Sequence, residues 1–164
     1  SSSSGRAIDL AGGVVMRREF DRFIIERLAA KEKALDRELV VGEPGSSAGE
    51  VAIGGVRWEV CWRLSAPDDE AAEDAHVARF DLAELDFPLT VRGRRPGDRV
   101  RLAVGNRKLK RVFIDRRVGR CQRSAYPVLL DQAGVLWVVD LVRSARAPAR
   151  EGRQVFSVWF RRVG

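Results

Sequence analysis

The 164-residue sequence predicts a mostly β fold, α+β in class: an irregular β-sandwich-like domain with one or two short helices. Three observations point there. Residues 56–64 alternate strictly, with Val56, Trp58, Val60, Trp62 and Leu64 on one parity and Arg57, Glu59, Cys61 and Arg63 on the other. That is the pattern of a strand with one buried face. Short apolar runs bounded by turn residues recur along the chain. From Lys108 the spacing becomes helical, with Leu109, Val112 and Phe113 forming a single apolar stripe.

The elements follow in order. Residues 7–27 read as a hairpin turning at Gly12-Gly13, with a third strand through Phe20 and Phe23-Ile24-Ile25. Residues 28–38 have helix-forming composition and suit a short surface helix or an extended connector. Leu39-Val40-Val41 is a strand, stopped by Gly42-Glu43-Pro44-Gly45. The two tryptophans of residues 56–64 are expected in the core rather than as a base-stacking platform. Residues 65–75 are acidic and read as a solvated loop; the single His76 that follows has no nearby Cys or His to share a metal. Strands are expected over 77–82 and 88–92.

Pro96-Gly97 fits the centre of a type II turn, with Asp98 placed to bond turn amides or to pair with Arg94 or Arg99. A short strand and a Gly105-Asn106 turn lead to the amphipathic helix, which Tyr126-Pro127 ends. The runs 128–130 and 135–139, joined by Asp131-Gln132-Ala133-Gly134, read as a hairpin of strands buried on both faces. Residues 143–153 form a basic loop, and 155–160 a last strand.

Charge is distributed unevenly. Residues 1–86 hold 11 basic and 18 acidic residues, net −7; residues 87–164 hold 19 basic and 5 acidic, net +14; together they give the net +7 of the chain. Compositional drift toward Arg would not confine the excess to one half, so a directed electrostatic surface is expected. This divides the chain into a strand-rich acidic part, 1–86, and a basic module, 87–164, packed as one unit. The excess peaks over residues 91–123, where thirteen Arg and Lys face two acids, Asp98 and Asp115. Such a density suits a phosphate backbone.

Much chemistry is missing from the sequence. It has no GxGxxG, no GxxxxGK[ST] and no HExxH, and one histidine leaves little room for acid–base catalysis. No run of about eighteen apolar residues is available to span a membrane. No signal peptide precedes the opening SSSSG, which reads as a linker from a longer chain. Cys61 and Cys121 are expected as reduced thiols of a cytoplasmic protein. A hydrolase using Asp98 and Asp115 lacks any base partner.

The central run resembles a specific family. Leu89-Thr90-Val91-Arg92, Arg94-Arg95-Pro96-Gly97-Asp98-Arg99, Lys108-Leu109-Lys110, Phe113-Ile114-Asp115, Arg123, Tyr126-Pro127, Asp131, Gly134 and Trp137-Val138 have the order and spacing of the C-terminal domain of tRNA(Ile)-lysidine synthetases. Residues 4–22 and, more loosely, 39–45 and 80–85 are similar as well. The chain departs from the pattern at Gly119, where Pro is usual, and at Val139-Asp140, where Pro-Gly is common.

The resemblance implies a parent enzyme that ligates lysine to the wobble cytidine of an isoleucine tRNA, with ATP and Mg in an N-terminal PP-loop domain. Its Ser-Gly-Gly-x-Asp-Ser signature is missing here, so this chain is expected to be inactive alone and to hold no cofactor or metal. The implied partners are that catalytic domain and the tRNA, contacted at its acceptor arm. The expected RNA-contacting set is Arg92, Arg94, Arg95, Arg99, Lys108, Lys110, Arg116, Arg117, Arg120 and Arg123. Arg116, at the edge of the apolar stripe, is the member most suited to internal pairing. Pro96, Gly97, Asp98 and Asp115 are expected to be structural. The alternative is a packing module whose basic half docks on an acidic surface of the catalytic domain or of a second protomer, in a homodimer, without touching RNA.

Overall fold

The computed structural model describes residues 38–65 and 76–163, and before them the backbone of three strands, β1 (Ala7–Leu10), β2 (Val14–Glu19) and β3 (Arg22–Arg27). These pair in sequence as an antiparallel sheet, Ile8 opposite Met16 and Met16 opposite Ile25. The Gly12-Gly13 turn, Phe20, nearly all of the 28–38 segment and all but the first residue of the 65–75 loop lie outside the described residues.

Two further sheets face each other. A four-stranded sheet runs β5 (Ser47–Ile53), β6 (Val56–Ser65), β14 (Val155–Arg162), β7 (Val77–Asp81). A seven-stranded sheet runs β10 (Gly105–Lys108), β9 (Arg99–Leu102), β12 (Gly134–Val138), β11 (Val128–Asp131), β8 (Leu89–Arg92), β4 (Leu39–Val41), with β13 (Val142–Arg143) also on β12. The helices are α1 (Leu109–Asp115) and α2 (Arg120–Arg123).

The alternation of β11 and β12 explains the layering. Leu129 and Leu136 point into a core shared with Ile53, Trp58, Val60, Phe80, Leu89, Phe156 and Phe160, between the two sheets. Val128, Val135 and Val138 point the other way, onto Leu109, Val112 and Phe113 of α1. The seven-stranded sheet is thus covered on both faces, and its central strands must be apolar on both parities. Each fully buried Leu, Ile or Phe contributes about 1.5–3 kcal/mol of transfer free energy. The boundary in charge near residue 86 does not divide the sheets: β14 pairs with β6 and β7, and β8 pairs with β4. Trp58 is buried and Trp62 packs at the edge of the same core.

Three features differ from the sequence expectation. β5 was not expected; it is an edge strand whose inward residues are Val51 and Ile53, too few to set a pattern. Its turn into β6 is Gly54-Gly55, with φ 57° and 80°, the mirror-image turn suited to the twist of a hairpin. A side chain at Gly54 would also collide with Ser124 O, 2.5 Å from where its Cβ would sit. β10 was not expected either. The turn falls on Ala103 and Val104, and Gly105-Asn106 opens a strand exposed at all four positions, which hydrophobic periodicity does not mark. Finally, the helical segment is broken in two before Tyr126-Pro127, α1 ending at Asp115.

Candidate nucleic-acid interface

The segment 92–98 is built around one carboxylate. Arg95 O accepts from Asp98 N at 3.2 Å, and Gly97 at φ 86° supplies the left-handed residue that a Pro-Gly type II turn requires. The Asp98 carboxylate accepts from both Arg92 guanidinium nitrogens at 2.9 Å and from the Arg95 amide at 2.8 Å. Burial pushes this carboxyl up; the Arg92 fork, the Arg95 amide and the charges of Arg92 and Arg95 outweigh it and hold it below the usual carboxylate value. The partner expected for Asp98 was Arg94 or Arg99; the structure gives Arg92, because β8 delivers it to the α1 face of the sheet.

The turn is tied to α1, since Asp98 O accepts from Leu109 N at 2.9 Å. Lys108 and Lys110 are thereby set beside the turn. The arginine planes are fixed too: the Arg94 guanidinium lies 5.6 Å from the Phe113 ring centroid. On the far side α2 brings Arg120 and Arg123. These elements bound an open groove of about 520 Å³ whose walls carry Arg94, Arg95, Lys108, Lys110, Arg120 and Arg123, with Asp98 the sole acid lining it among the described residues.

Six of the ten expected contact residues therefore meet in one groove. They are not equally available. Arg123 is buried, its Nε donating to Val118 O at 2.9 Å, and presents only an edge. Arg95 pairs with Glu38. Lys108, Lys110 and Arg120 have no ion-pair partner among the described residues. Arg92 does not line the groove; its side chain is 11% exposed and spent on Asp98. Arg99, Arg116 and Arg117 are exposed but lie outside the groove. Arg116, expected to pair internally, caps α1 and points to solvent. Asp115 sits between Arg107 and Arg111, 3.2 Å from each, which keeps it out of the groove.

Sequence reasoning missed a second ion pair of the same kind: Arg146 of the 143–153 loop forks onto Asp131 at 2.8 and 2.7 Å. Nothing local marks it, because the partners are joined only by the fold. No group of three His, Cys, Asp or Glu able to hold a metal occurs among the described residues, and neither Cys61 nor Cys121 is in a disulfide. No helix among those residues is long and apolar enough to cross a membrane.

A profile of the TilS substrate C-terminal domain matches residues 89–159, the stretch that carries the groove and both aspartate locks. Residues 89–159 belong to that family. The chain resembles the tRNA(Ile)-lysidine synthase of Geobacter sulfurreducens, 30% identical over 184 aligned residues that take in 93% of this chain and 38% of the relative. It also resembles that of Exiguobacterium sibiricum, 47% identical over 58 residues, 35% of this chain and 14% of the relative. The chain thus spans well under half the length of these enzymes. A solved TilS C-terminal domain superposes with a TM-score of 0.62 at 25% identity, covering 78% of this chain and 99% of that one. The mostly β architecture with two short helices is that of the TilS C-terminal domain.

Proposed function

We propose that this domain binds tRNA on behalf of a tRNA(Ile)-lysidine synthase, helping to select the isoleucine tRNA whose wobble cytidine the whole enzyme converts to lysidine. Ligation with lysine and ATP, with Mg, belongs to a catalytic domain outside this chain, and the chain alone has no ligase activity. The cytoplasm is its place of work. The observation that carries the reading is the groove: six cations converge on it and, among the described residues, its one lining carboxylate is neutralised from within by Arg92 and Lys108, Lys110 and Arg120 have no ion-pair partner. Double-helical RNA offers regularly spaced phosphates and is read by shape, which suits such a surface.

If about five phosphates are contacted, the logarithm of affinity for tRNA falls against the logarithm of salt with a slope of about −4 to −5. Lys108→Glu combined with Lys110→Glu abolishes binding at low salt and moves the unfolding free energy by less than about 0.5 kcal/mol, both residues being exposed. Fluorescence anisotropy with labelled tRNA and urea unfolding read the two quantities. A salt-independent affinity, or an unchanged one in the double variant, defeats the proposal. A dimer in sedimentation that excludes tRNA would favour the packing module instead.

A further inference from the structure

Three arginines meet at the turn that opens the groove, and each has a different partner. Arg92 is forked onto Asp98, with its side chain 11% exposed. Arg94 lies against the Phe113 ring. Arg95, a groove-lining residue, pairs with Glu38, and both of these side chains are open to water, 59% and 39% exposed.

Strand pairing, not sequence neighbourhood, places Glu38. It stands 57 residues before Arg95, directly ahead of β4. β4 pairs antiparallel with β8, Leu39 opposite Val91, and both of those side chains pack into the core between the sheets. Alternation turns Glu38, and Arg92 across from it in the same register, to the other face, the one that carries α1 and the groove. The acidic first part of the chain thus sends one carboxylate to the rim of the basic groove.

We propose that the Glu38 carboxylate is a built-in competitor for RNA phosphate at Arg95, so that Arg95 changes partner when RNA enters the groove. A carboxylate and a phosphate present a guanidinium with the same two-pronged acceptor, so one can replace the other. The pair with Glu38 is solvent-exposed, and exposed ion pairs are weak enough to exchange. That exchange is closed to Arg92, which is nearly buried with Asp98. Glu38 therefore withholds Arg95 from any polyanion that does not bring a phosphate to that point, and an opposing charge of this kind produces selectivity. The inference rests on the tRNA-binding reading and deepens it by assigning a residue that tunes the groove from outside the basic stretch.

The test is a double-mutant cycle in the 164-residue chain, read by fluorescence anisotropy with labelled tRNA at about 0.1 M salt, where exposed charges more than about 10 Å apart are largely screened. Glu38→Gln keeps the side-chain length and removes the charge; it tightens binding about two- to five-fold, the range of an exposed pair. In the Arg95→Ala background the same change brings no gain, because the competitor has nothing left to withhold. Glu43→Gln alters net charge equally at an exposed acid with no ion-pair partner among the described residues, and its effect is much smaller. All three sites are exposed, so the variants fold as the native chain does, which urea unfolding checks. A gain from Glu38→Gln that persists without Arg95, or that Glu43→Gln matches, reduces the effect to net charge and overturns the proposal while the groove stands. Weaker binding by Glu38→Gln overturns it as well, since Glu38 would then be holding Arg95 in position for the phosphate. Failure of the native chain to bind tRNA at low salt removes the groove reading and this inference with it.

Discussion

Two turns of the seven-stranded sheet are each closed by an aspartate that takes a two-pronged guanidinium. Asp98 receives Arg92 and the Arg95 amide. Asp131 receives Arg146 together with the amides of Asp86, Ala133 and Gly134. The chemistry is the same and the surroundings are not. The Asp131 side chain is 0% exposed and joins three loops, whereas Asp98 is at the rim of a solvent-filled groove. One lock holds the scaffold together, and the other holds cations around the groove. On the proposed tRNA-binding reading, comparable ion pairs on one sheet serve stability in one place and recognition in another, according to what lies beyond them.

The largest effect expected from breaking this comparison is at the inner lock. Asp131→Ala strands the Arg146 charge and three amides and costs about 3–4 kcal/mol. Urea unfolding measures it, and a loss under about 1 kcal/mol would mean that the inner lock is not structural in the sense argued. RNA affinity of the folded fraction stays unchanged, since Asp131 does not border the groove.

At the rim, Asp98→Ala costs less, about 2 kcal/mol, because it strands one amide rather than three and Arg92 keeps its bond to Gly93 O. Its binding signature is the sharper one. Loss of the carboxylate that lines the groove makes its wall more positive by one charge, so the salt slope steepens by up to about one unit. The turn that positions Arg94 and Arg95 loosens, so the preference for isoleucine tRNA over a generic hairpin that the proposed function requires is expected to fall. A variant with undiminished discrimination would show that the Asp98 lock does not organise recognition.

The pH dependence sets both locks against one background. In Asp131, as in Asp98, burial raises the carboxyl and hydrogen bonds, chiefly the arginine fork, outweigh it, so its pKa is lowered. Below the ordinary aspartate value of about 3.9 the unfolded chain takes up protons that the folded chain still refuses. The contribution of each lock is therefore complete above about pH 4 and disappears as pH falls through the folded values. The stability gap between the native chain and Asp131→Ala, measured at pH 7, 4 and 3, is expected to be level over the first two and smaller at the third. A gap unchanged at pH 3 contradicts the ion-pair account.

Much of this was legible in the sequence and some was not, for physical reasons. Residues 56–64 and the stripe Leu109, Val112, Phe113 were readable because a one-sided burial requirement leaves a period. The Pro96-Gly97 turn was readable because its backbone demands particular residues. β10 was not, since an edge strand exposed at all four positions has no burial to record. Within the basic stretch, residue type told where charge collects but not which charges are already neutralised. Arg92 and Arg94 are two apart in sequence, yet one is locked to Asp98 and the other lies against Phe113 on the groove wall. That distinction is made by partners that the fold supplies.

The smallest effect concerns Arg117, and it marks where the groove stops. Arg117 holds φ 55° just past α1, donating to Ile114 O at 2.9 Å, while Val118 donates to Phe113 O at 2.9 Å. This pair of bonds is the Schellman ending, in which glycine is the favoured residue at the left-handed position. Arg117→Gly relieves roughly 1–2 kcal/mol of left-handed strain and gives part of it back in unfolded-chain entropy, for a net gain of about 0.5–1 kcal/mol. Because Arg117 stands outside the groove, the salt slope of tRNA binding is expected to stay as it was, in contrast to Lys110→Ala, which lowers it by about one unit. A matching drop for Arg117→Gly would carry the interface past the end of α1, and the strained backbone would then be retained for a phosphate contact.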